Sequence, residues 1–275
     1  MAIYVRGDTH GANVQAFSYA ENPELRHLTE NDVLIILGDT AIGWPGFDDT
    51  TRYSLDKVDE KIADKGFSVI YLFGNHDNYD YSSELIGTST PFNTLMKQVT
   101  FQGKTYKNQY VCDGTCIADI CGKHCLLIAG ADSHDIDYLF FPKQLQEMSR
   151  AKMTNILYRT IGTTWWPEEE VNISALTYMM AEHWDEHFDY VFTHDCVGEY
   201  VDHMNRSRGY GLTKTKSEKF FDAMTGVLDF NHWYHGHMHD DYYCYGNHDQ
   251  FTCLYNVWFD ATTNRPVYEN FIEES

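Results

Sequence analysis

The sequence predicts an α/β domain, in which strands covered on both faces alternate with helices. The apolar runs at 33–37 and 67–73 are continuous rather than alternating, which is typical of strands buried inside a layered fold. The segment at 49–65 lies between them and has apolar side chains at helical spacing. These three segments predict a strand–helix–strand unit, and the rest of the chain continues the alternation.

The elements of the first half follow from periodicity and composition. The helix at 49–65 carries Leu55, Val58 and Ile62 on one face, and Gly66 is a suitable stop for it. The other expected segments are a strand at 2–5, a helix within 13–28, a polar and aromatic surface excursion at 78–110, and two strands within 111–130.

In the second half, an amphipathic helix is the clearest element. Its apolar residues, from Ile173 to Phe188, recur at spacings of three and four. The other expected segments are a helix at 142–161, a loop at 164–169, a strand at 190–192, a polar stretch at 198–214, a helix at 217–228, a strand at 233–235, and two or three strands within 242–269. No repeat, linker or composition shift divides the chain, so one domain over 1–275 is expected.

The composition bounds the partners and the compartment. The chain has 275 residues and a formal charge of −21, which would repel long nucleic acids and anionic membranes. No apolar run is long enough to span a bilayer, and the first residues lack the layout of a signal peptide, so we expect a cytoplasmic protein. A small anionic substrate is compatible with this charge, provided that cations lie at the site. The sequence does not predict an oligomeric state.

Four of the seven cysteines form a cluster in the sequence. Cys112, Cys116, Cys121 and Cys125 lack the CxxC spacing that zinc ribbons favour, and they fall on a hairpin-like pattern with its turn at 122–123. We interpret them as buried side chains on two strands, with a metal cluster or a redox switch as the alternatives.

Five apolar runs end in polar motifs that can bind metals. In an α/β sheet such groups gather at the carboxyl ends of the strands, so residues far apart in sequence are expected to meet. The residues of these motifs are Asp8, His10, Asp39, Asn75, His76, Asp77, His194, His237 and His239. Their carboxylate, amide and imidazole groups suit divalent metals such as Mn, Fe, Co, Ni or Zn.

The number of potential ligands favours a binuclear centre. Seven of these residues, all except His76 and Asp77, are potential ligands, and one tetrahedral site holds only four. Seven ligands suit two ions that share a bridging carboxylate. Two ions about 3.5–4 Å apart are an arrangement for phosphoester hydrolysis. A single-metal binding protein is the alternative, but it would leave several of these residues without a role.

The motif set GDTHG, GDT, GNHD, THD and GHMH resembles that of the calcineurin-like metallophosphoesterase superfamily. The motifs occur in order from residue 7 to residue 239, so the resemblance covers most of the chain. It implies a four-layer α/β/β/α sandwich and a metal-dependent phosphatase or phosphodiesterase. It also implies two divalent transition-metal ions as cofactors and a phosphorylated substrate.

The resemblance further implies a role for each residue of the motifs. The implied ligands are Asp8, His10 and His239 for the first metal, Asn75, His194 and His237 for the second, and Asp39 as the bridge between them. His76 would stabilise charge on the phosphate or protonate the leaving oxygen, and Asp77 would orient His76. The nucleophile would be a metal-bridging hydroxide.

Two departures from the superfamily's phosphoprotein phosphatases bear on the substrate. Those enzymes carry GNHE preceded by arginine, and another arginine shortly after their GD motif. Here Phe73 precedes GNHD, and residues 40–46 contain no arginine. We therefore favour a small-molecule or nucleotide substrate. A phosphoprotein phosphatase, and a non-catalytic metal-binding member that acts through a partner, are the alternatives.

The stretch at 159–169 is similar to a segment of the superfamily's small bacterial members. There the arginine is expected to follow closely after a Gly-Ala segment, whereas here Arg159 lies far from Gly130-Ala131. Residues 136–158 are therefore predicted to be a helical insertion, either a flap over the metal pocket or a surface helix remote from it. Further candidates for contacts at the pocket, each of them equally open to a structural role, are Arg159, Arg206, Arg208, Trp44 and Trp165.

Overall fold

The computed structural model describes residues 1–133, 138–147, 157–246 and 249–267 of the chain. Its strands are β1 (Ile3–Arg6), β2 (Val33–Ile36), β3 (Ser68–Leu72), β4 (Gly87–Ser89), β5 (Leu95–Phe101), β6 (Lys104–Cys112), β7 (Thr115–Ile120), β8 (Lys123–Ile128), β9 (Tyr138–Phe140), β10 (Tyr158–Thr160), β11 (His187–Thr193), β12 (Asp229–His235), β13 (Tyr242–Tyr245), β14 (Phe251–Cys253), β15 (Phe259–Asp260) and β16 (Arg265–Pro266). Its helices are α1 (Asn13–Ala16), α2 (Asp48–Lys65), α3 (Tyr79–Ser83), α4 (Pro142–Glu147), α5 (Ile173–Glu182), α6 (Gly198–Arg208) and α7 (Lys216–Thr225), with short 3-10 helices at Pro23–His27 and Pro167–Glu169.

The first sheet has eight strands in the order β16-β15-β1-β2-β3-β6-β5-β4. Its central strands β1, β2, β3 and β6 run parallel, with Val5 beside Ile35 and Ile35 beside Ile70. Every residue of β2 and β3 is buried, as the continuous apolar runs predict. These strands therefore deliver their carboxyl ends to one edge of the sheet.

The second sheet has six strands in the order β13-β14-β12-β11-β8-β7. Strands β8, β11, β12 and β14 run parallel, and Thr193 at the end of β11 pairs with both Ile128 and His235. The carboxyl ends of β8, β11 and β12 therefore lie side by side. A separate two-stranded parallel sheet joins β9 and β10.

The two large sheets enclose an apolar core, and helices cover their outer faces. Leu127 of the second sheet belongs to the same buried cluster as Ile35 of the first sheet and the apolar face of α2. Leu126, whose side chain points to the opposite face, packs instead with Phe221 of α7. The fold is therefore a four-layer α/β/β/α sandwich, as predicted. Among the described residues, no helix combines the length and apolarity needed to cross a bilayer.

In the first half, two segments differ from the sequence expectations. The single helix expected within 13–28 is a short α1 followed by the 3-10 helix Pro23–His27, because proline interrupts helical hydrogen bonding. The surface excursion expected at 78–110 instead contains α3, β4, β5 and most of β6, and it extends the first sheet. These strands contain many polar side chains, so their composition does not indicate strands.

The second half differs in three places. Within the helix expected at 142–161, Pro142–Glu147 forms α4, and residues 148–156 lie outside the described part of the chain. Tyr158–Thr160 is strand β10 instead, because it pairs with β9. Helix α5 ends at Glu182, and Phe188 lies in β11. The polar stretch at 198–214 begins with helix α6. Whether 136–158 is an insertion stays a prediction.

The cysteine cluster lies on strands of both sheets and in the β7–β8 turn. Cys112 is in β6, Cys116 in β7 and Cys125 in β8, and the Sγ atoms of Cys112 and Cys116 are 3.5 Å apart. All seven cysteines are free thiols. Within the described residues, the four cysteines of the cluster join no group of potential metal ligands.

Candidate metal centre

The polar motifs that follow five parallel strands meet at one place between the two sheets. These residues come directly after the strands because each strand ends where its apolar run ends. The positions are Asp8 and His10 after β1, Asp39 after β2, Asn75 and His76 after β3, His194 after β11, and His237 and His239 after β12.

Four of the predicted ligands have a backbone conformation that is costly for residues other than glycine. The φ angle is 44° at His10, 48° at Asp39, 66° at His237 and 48° at His239. Left-handed residues of this kind are uncommon, and they concentrate at functional sites where the surrounding structure holds them. The turns after β1, β2 and β12 are therefore shaped for their side chains.

Two glycines allow the strand ends to approach the centre closely. A Cβ atom on Gly38 would overlap Nδ1 of His194, and a Cβ atom on Gly74 would overlap Oδ1 of Asp39. Only glycine leaves room for these side chains. Gly38 and Gly74 are therefore required by the packing of the potential ligands.

Asp8, His10, Asp39 and His239 form a first group, in which one ligand atom from each lies within 4.8 Å of the others. Nε2 of His239 lies 3.1 Å from Oδ2 of Asp8 and 2.8 Å from Nε2 of His10. Nε2 of His10 is 3.8 Å from a carboxylate oxygen of both Asp8 and Asp39. Two imidazoles and two carboxylates thus converge.

Asp39 also belongs to a second group, with His194 and His237. Nε2 of His194 lies 3.2 Å from Oδ1 of Asp39 and 3.0 Å from Oδ1 of Asn75. Nδ1 of His194 donates to the main-chain O of Leu37 at 2.6 Å, which directs Nε2 towards the centre. The structure therefore brings all seven potential ligands together, with Asp39 common to both groups.

The buried carboxylate of Asp39 makes this centre receptive to cations. Burial alone would lower the pKa of His194, but Asp39 outweighs it and raises that pKa to about 10. Burial alone would raise the pKa of Asp39, but His194 outweighs it and holds that pKa below its usual range. The centre therefore needs positive charge, which a protonated imidazole or a metal cation can supply.

His76 lies beside both groups and is held by an arginine. Its main-chain N donates to Oδ1 of Asp39 at 2.8 Å. Nη2 of Arg159 donates to Nε2 of His76, and Nη1 donates to the main-chain O of Asn75, each at 2.7 Å. Since a guanidinium cannot accept a hydrogen bond, Nε2 of His76 is the acceptor in this contact.

A buried carboxylate, Glu169, supports this arrangement. Its Oε1 lies 3.5 Å from Nη1 of Arg159 and accepts from Oγ of Ser133 at 2.9 Å. Oγ of Ser133 in turn accepts from Nδ2 of Asn75 at 2.9 Å. Burial raises the pKa of Glu169 to about 8, although Arg159 opposes the shift. One network thus fixes the side chain and main chain of Asn75 and the ring of His76.

Asp77 does not make the contact that the resemblance implied. It was expected to orient His76, but within the described residues its carboxylate accepts from Oγ1 of Thr40 at 2.6 Å and from the main-chain N of Gly74 at 2.8 Å. Asp77 therefore joins the turns after β2 and β3. Arg159 takes the contact with the His76 ring.

The family model of calcineurin-like phosphoesterases matches residues 1–241. The chain belongs to this family. Among solved structures, the phosphopantetheinyl hydrolase from Mycobacterium tuberculosis is similar, with 14% sequence identity and a TM-score of 0.45 over 92% of this chain and 89% of that chain. A comparison with curated protein sequences found no match.

In this calcineurin-like phosphoesterase, sequence reasoning did not identify Ser133 and Glu169, and it considered Arg159 only as a phosphate contact. The signal in the sequence that could have identified Arg159 and Glu169 was the stretch 159–169, which begins and ends with these two residues. The ring of Trp44 lies 6.0 Å from that of His76, which places it beside the centre.

Proposed function

We propose that this protein is a binuclear metal-dependent phosphoesterase that hydrolyses a small-molecule or nucleotide phosphomonoester or phosphodiester. The observation that carries the proposal is the position of Asp39. It belongs to both ligand groups, as a carboxylate that bridges two ions would. Seven free thiols support a cytosolic setting.

The residues present fit a pair of divalent transition-metal ions. Oδ2 of Asp8 is buried without a well-formed hydrogen bond, although Nε2 of His239 lies only 3.1 Å away. Nε2 atoms of His10 and His239 face each other at 2.8 Å. Two ring nitrogens and a buried carboxylate oxygen that lie this close together suit ligands that share a cation. The proposed ligands are Asp8, His10 and His239 for one ion, Asn75, His194 and His237 for the other, and Asp39 for both.

Divalent ions in this position would supply a water molecule with a lowered pKa and a counter-charge for phosphate oxygens. The protein's own groups would contact the substrate and keep the site in shape. His76 faces the pocket beside Asp39 and is the group in place to contact the phosphate or the leaving oxygen. Arg159 holds the ring of His76 and the main chain of Asn75 in one orientation.

Metal content and turnover together test this proposal. Wild-type protein loaded with Mn²⁺ is expected to bind about two ions per chain and to hydrolyse aryl phosphate esters. Asp39→Ala should lose bound metal, whereas His76→Ala should keep it and lose turnover by roughly 10²–10⁴-fold. Metal is measured by elemental mass spectrometry, and Asp80→Ala, an exposed aspartate on α3, is the matched control.

Three outcomes would contradict the proposal. Equal loss of metal in the Asp39 and His76 variants would refute their separate roles. Two bound ions without hydrolysis of monoesters or diesters would support a non-catalytic family member. Faster turnover of phosphopeptides than of small esters would support a phosphoprotein phosphatase.

A further inference from the structure

A pocket of about 320 Å³ opens beside the candidate metal centre, and its two sides differ in chemistry. One side is formed by residues of the centre, which are Asp39, Asn75, His76, His237 and His239. The other side is an apolar wall formed by Met204, Tyr210, Leu212 and Met238. The volume suits a small molecule, since ligand pockets begin at about 300 Å³.

The apolar wall is an outward extension of the core between the second sheet and its helices. Met204 on α6 is 3% exposed and belongs to that buried cluster. Leu212 and Met238 pack against the same cluster but are only partly buried, and Tyr210 is 57% exposed at the mouth of the pocket. Partly exposed apolar side chains next to a polar centre are typical of a ligand site.

The segment that carries the apolar wall is held in place by its own contacts. Nδ2 of Asn205 donates to the main-chain O of Leu212 at 2.8 Å, and the main-chain N of Leu212 donates to Oδ1 of Asn205 at 2.7 Å. Nζ of Lys214 then pairs with Asp202 and Asp222, each at 2.8 Å. Because this segment is ordered beforehand, a ligand bound there loses little affinity to ordering.

The charges around the wall favour an uncharged ligand group. Its four side chains are two methionines, a leucine and a tyrosine, and none of them is a carboxylate or an amine. Arg208, two residues before Tyr210, donates from Nη2 to Oδ2 of Asp240 at 2.7 Å, and the hydroxyl of Tyr200 donates to the same oxygen at 2.7 Å. The Arg208 guanidinium also hydrogen-bonds with the side chain of Tyr210. A phosphate group bound at the wall would therefore have to compete with Asp240 for this guanidinium.

We propose that the apolar wall binds the alcohol part of the substrate, and that this protein therefore prefers phosphoesters of aromatic alcohols to those of aliphatic alcohols or polyols. The inference rests on the proposed function, because it places the phosphate at the metal centre. Tyr210 can pack against an aromatic ring, and the thioethers of Met204 and Met238 make favourable contacts with ring edges. Thioether and phenol contacts together favour an aryl group over a flexible chain.

The test compares three substrates across four proteins. Metal-loaded wild type, Tyr210→Ser, Leu212→Ala and Tyr178→Ser are assayed with 2-naphthyl phosphate, hexyl phosphate and glycerol 3-phosphate. Tyr178 lies on α5, is 75% exposed and is not part of the pocket lining, so it is the matched control for the exposed Tyr210. Since each substrate is compared across proteins, the intrinsic reactivity of its leaving group cancels.

Wild type is expected to have its highest kcat/KM with 2-naphthyl phosphate. In Tyr210→Ser and in Leu212→Ala, the kcat/KM ratio of 2-naphthyl phosphate to glycerol 3-phosphate should fall about tenfold, as for loss of an apolar contact in a pocket. The control should leave this ratio unchanged. Tyr210→Ser alters an exposed side chain, so the test does not depend on whether Leu212→Ala folds.

Three other outcomes would overturn the inference, and the assays distinguish them from one another. Unchanged ratios in active variants would exclude the apolar wall as the site for the alcohol, while the proposed function would stand. A preference for hexyl phosphate that the variants remove would assign the wall to aliphatic chains. If metal-loaded wild type hydrolyses none of the three esters, the proposed function fails and this inference fails with it.

Discussion

Asp39 shows how one side chain can link two halves of a site. It is buried, it has a left-handed backbone with φ of 48°, and it accepts a hydrogen bond from the main chain of His76. It also lies in both groups of potential ligands. The burial, the left-handed backbone and the hydrogen bond all depend on the short turn after β2. That turn begins with Gly38-Asp39, so this small motif marks the position of the side chain in the sequence.

Arg159 shows where sequence reasoning stops at the residue scale. Arg159 is only 6% exposed, although arginines are mostly found at the surface. Its burial depends on Glu169 and on the main chain of Asn75, which no local pattern encodes. The potential ligands could be predicted because they follow strand ends. The residues that hold them could not, because the short strand β10, the 3-10 helix Pro167–Glu169 and the loop at Ser133 are too short to show a period.

We expect Arg159 to act as a positioning residue. Arg159→Lys keeps the charge but removes the forked geometry that joins His76 to Asn75. The value of kcat should therefore fall by about 10- to 100-fold, with a much smaller change in KM, while bound metal stays at the wild-type level. Steady-state kinetics and elemental mass spectrometry on the same preparation provide the measurement.

The matched control for this variant is Arg52→Lys, on the exposed face of α2, where Arg52 pairs with Asp49. It should leave both readouts unchanged. Parallel loss of metal and kcat in Arg159→Lys would mean that Arg159 supports the integrity of the centre rather than the orientation of His76.

At the scale of elements, burial on both faces decided which strands could be predicted. Strands β2 and β3 are fully buried, and their apolar runs identify them. In contrast, β5 and β6 contain polar residues that are half-buried or exposed, such as Lys97 and Lys104, and their pairing rather than their composition makes them strands. Phe188 continues the helical spacing of α5 by coincidence, but pairing of β11 with β12 places it in a strand.

Strand β12 contains a histidine that should make folding sensitive to acid. His232 is 7% exposed, and its Nε2 lies 2.9 Å from Oγ1 of Thr252. Burial lowers its pKa from 6.5 to about 4. Between these values the unfolded chain binds a proton that the folded chain does not, so the free energy of unfolding should fall by about 1.4 kcal/mol per pH unit as the pH decreases.

His232→Gln tests this expectation, because glutamine keeps a polar group near Thr252 but does not titrate. Urea unfolding between about pH 4.5 and 6, inside the interval between the two pKa values, should give a slope shallower than wild type by about 1.4 kcal/mol per pH unit. Asn231→Gln, which alters an exposed residue of the same strand and removes no titratable group, should keep the wild-type slope. An unchanged slope in His232→Gln would show that this ring is protonated in the folded protein.

At the scale of the whole molecule, the candidate centre lies at the junction of the two sheets. The group around His10 takes His239 from the second sheet, and the group around His194 takes Asp39 from the first. Neither sheet alone holds a complete group. The order of the motifs along the chain could be read from the sequence, but their meeting depends on the packing of one sheet against the other.

The excess of acidic residues should make the stability of the whole molecule depend on salt. The chain has 41 Asp and Glu residues against 20 Lys and Arg, so 21 carboxylates would stay unpaired even if every cation formed one pair (41 − 20 = 21). Their mutual repulsion destabilises the compact state, and salt at about 0.1 M screens it beyond roughly 10 Å.

Raising monovalent salt from about 10 to about 200 mM should therefore increase the free energy of unfolding by about 1 kcal/mol, or Tm by roughly 2–4 °C for a domain of this size. Calorimetry at constant pH with a chelator present keeps metal binding out of the comparison. NaCl and KCl should act alike, because screening depends on ionic strength. A Tm that falls with salt would mean that surface ion pairs, such as those of Lys104 with Asp56 and Asp59, outweigh the excess charge.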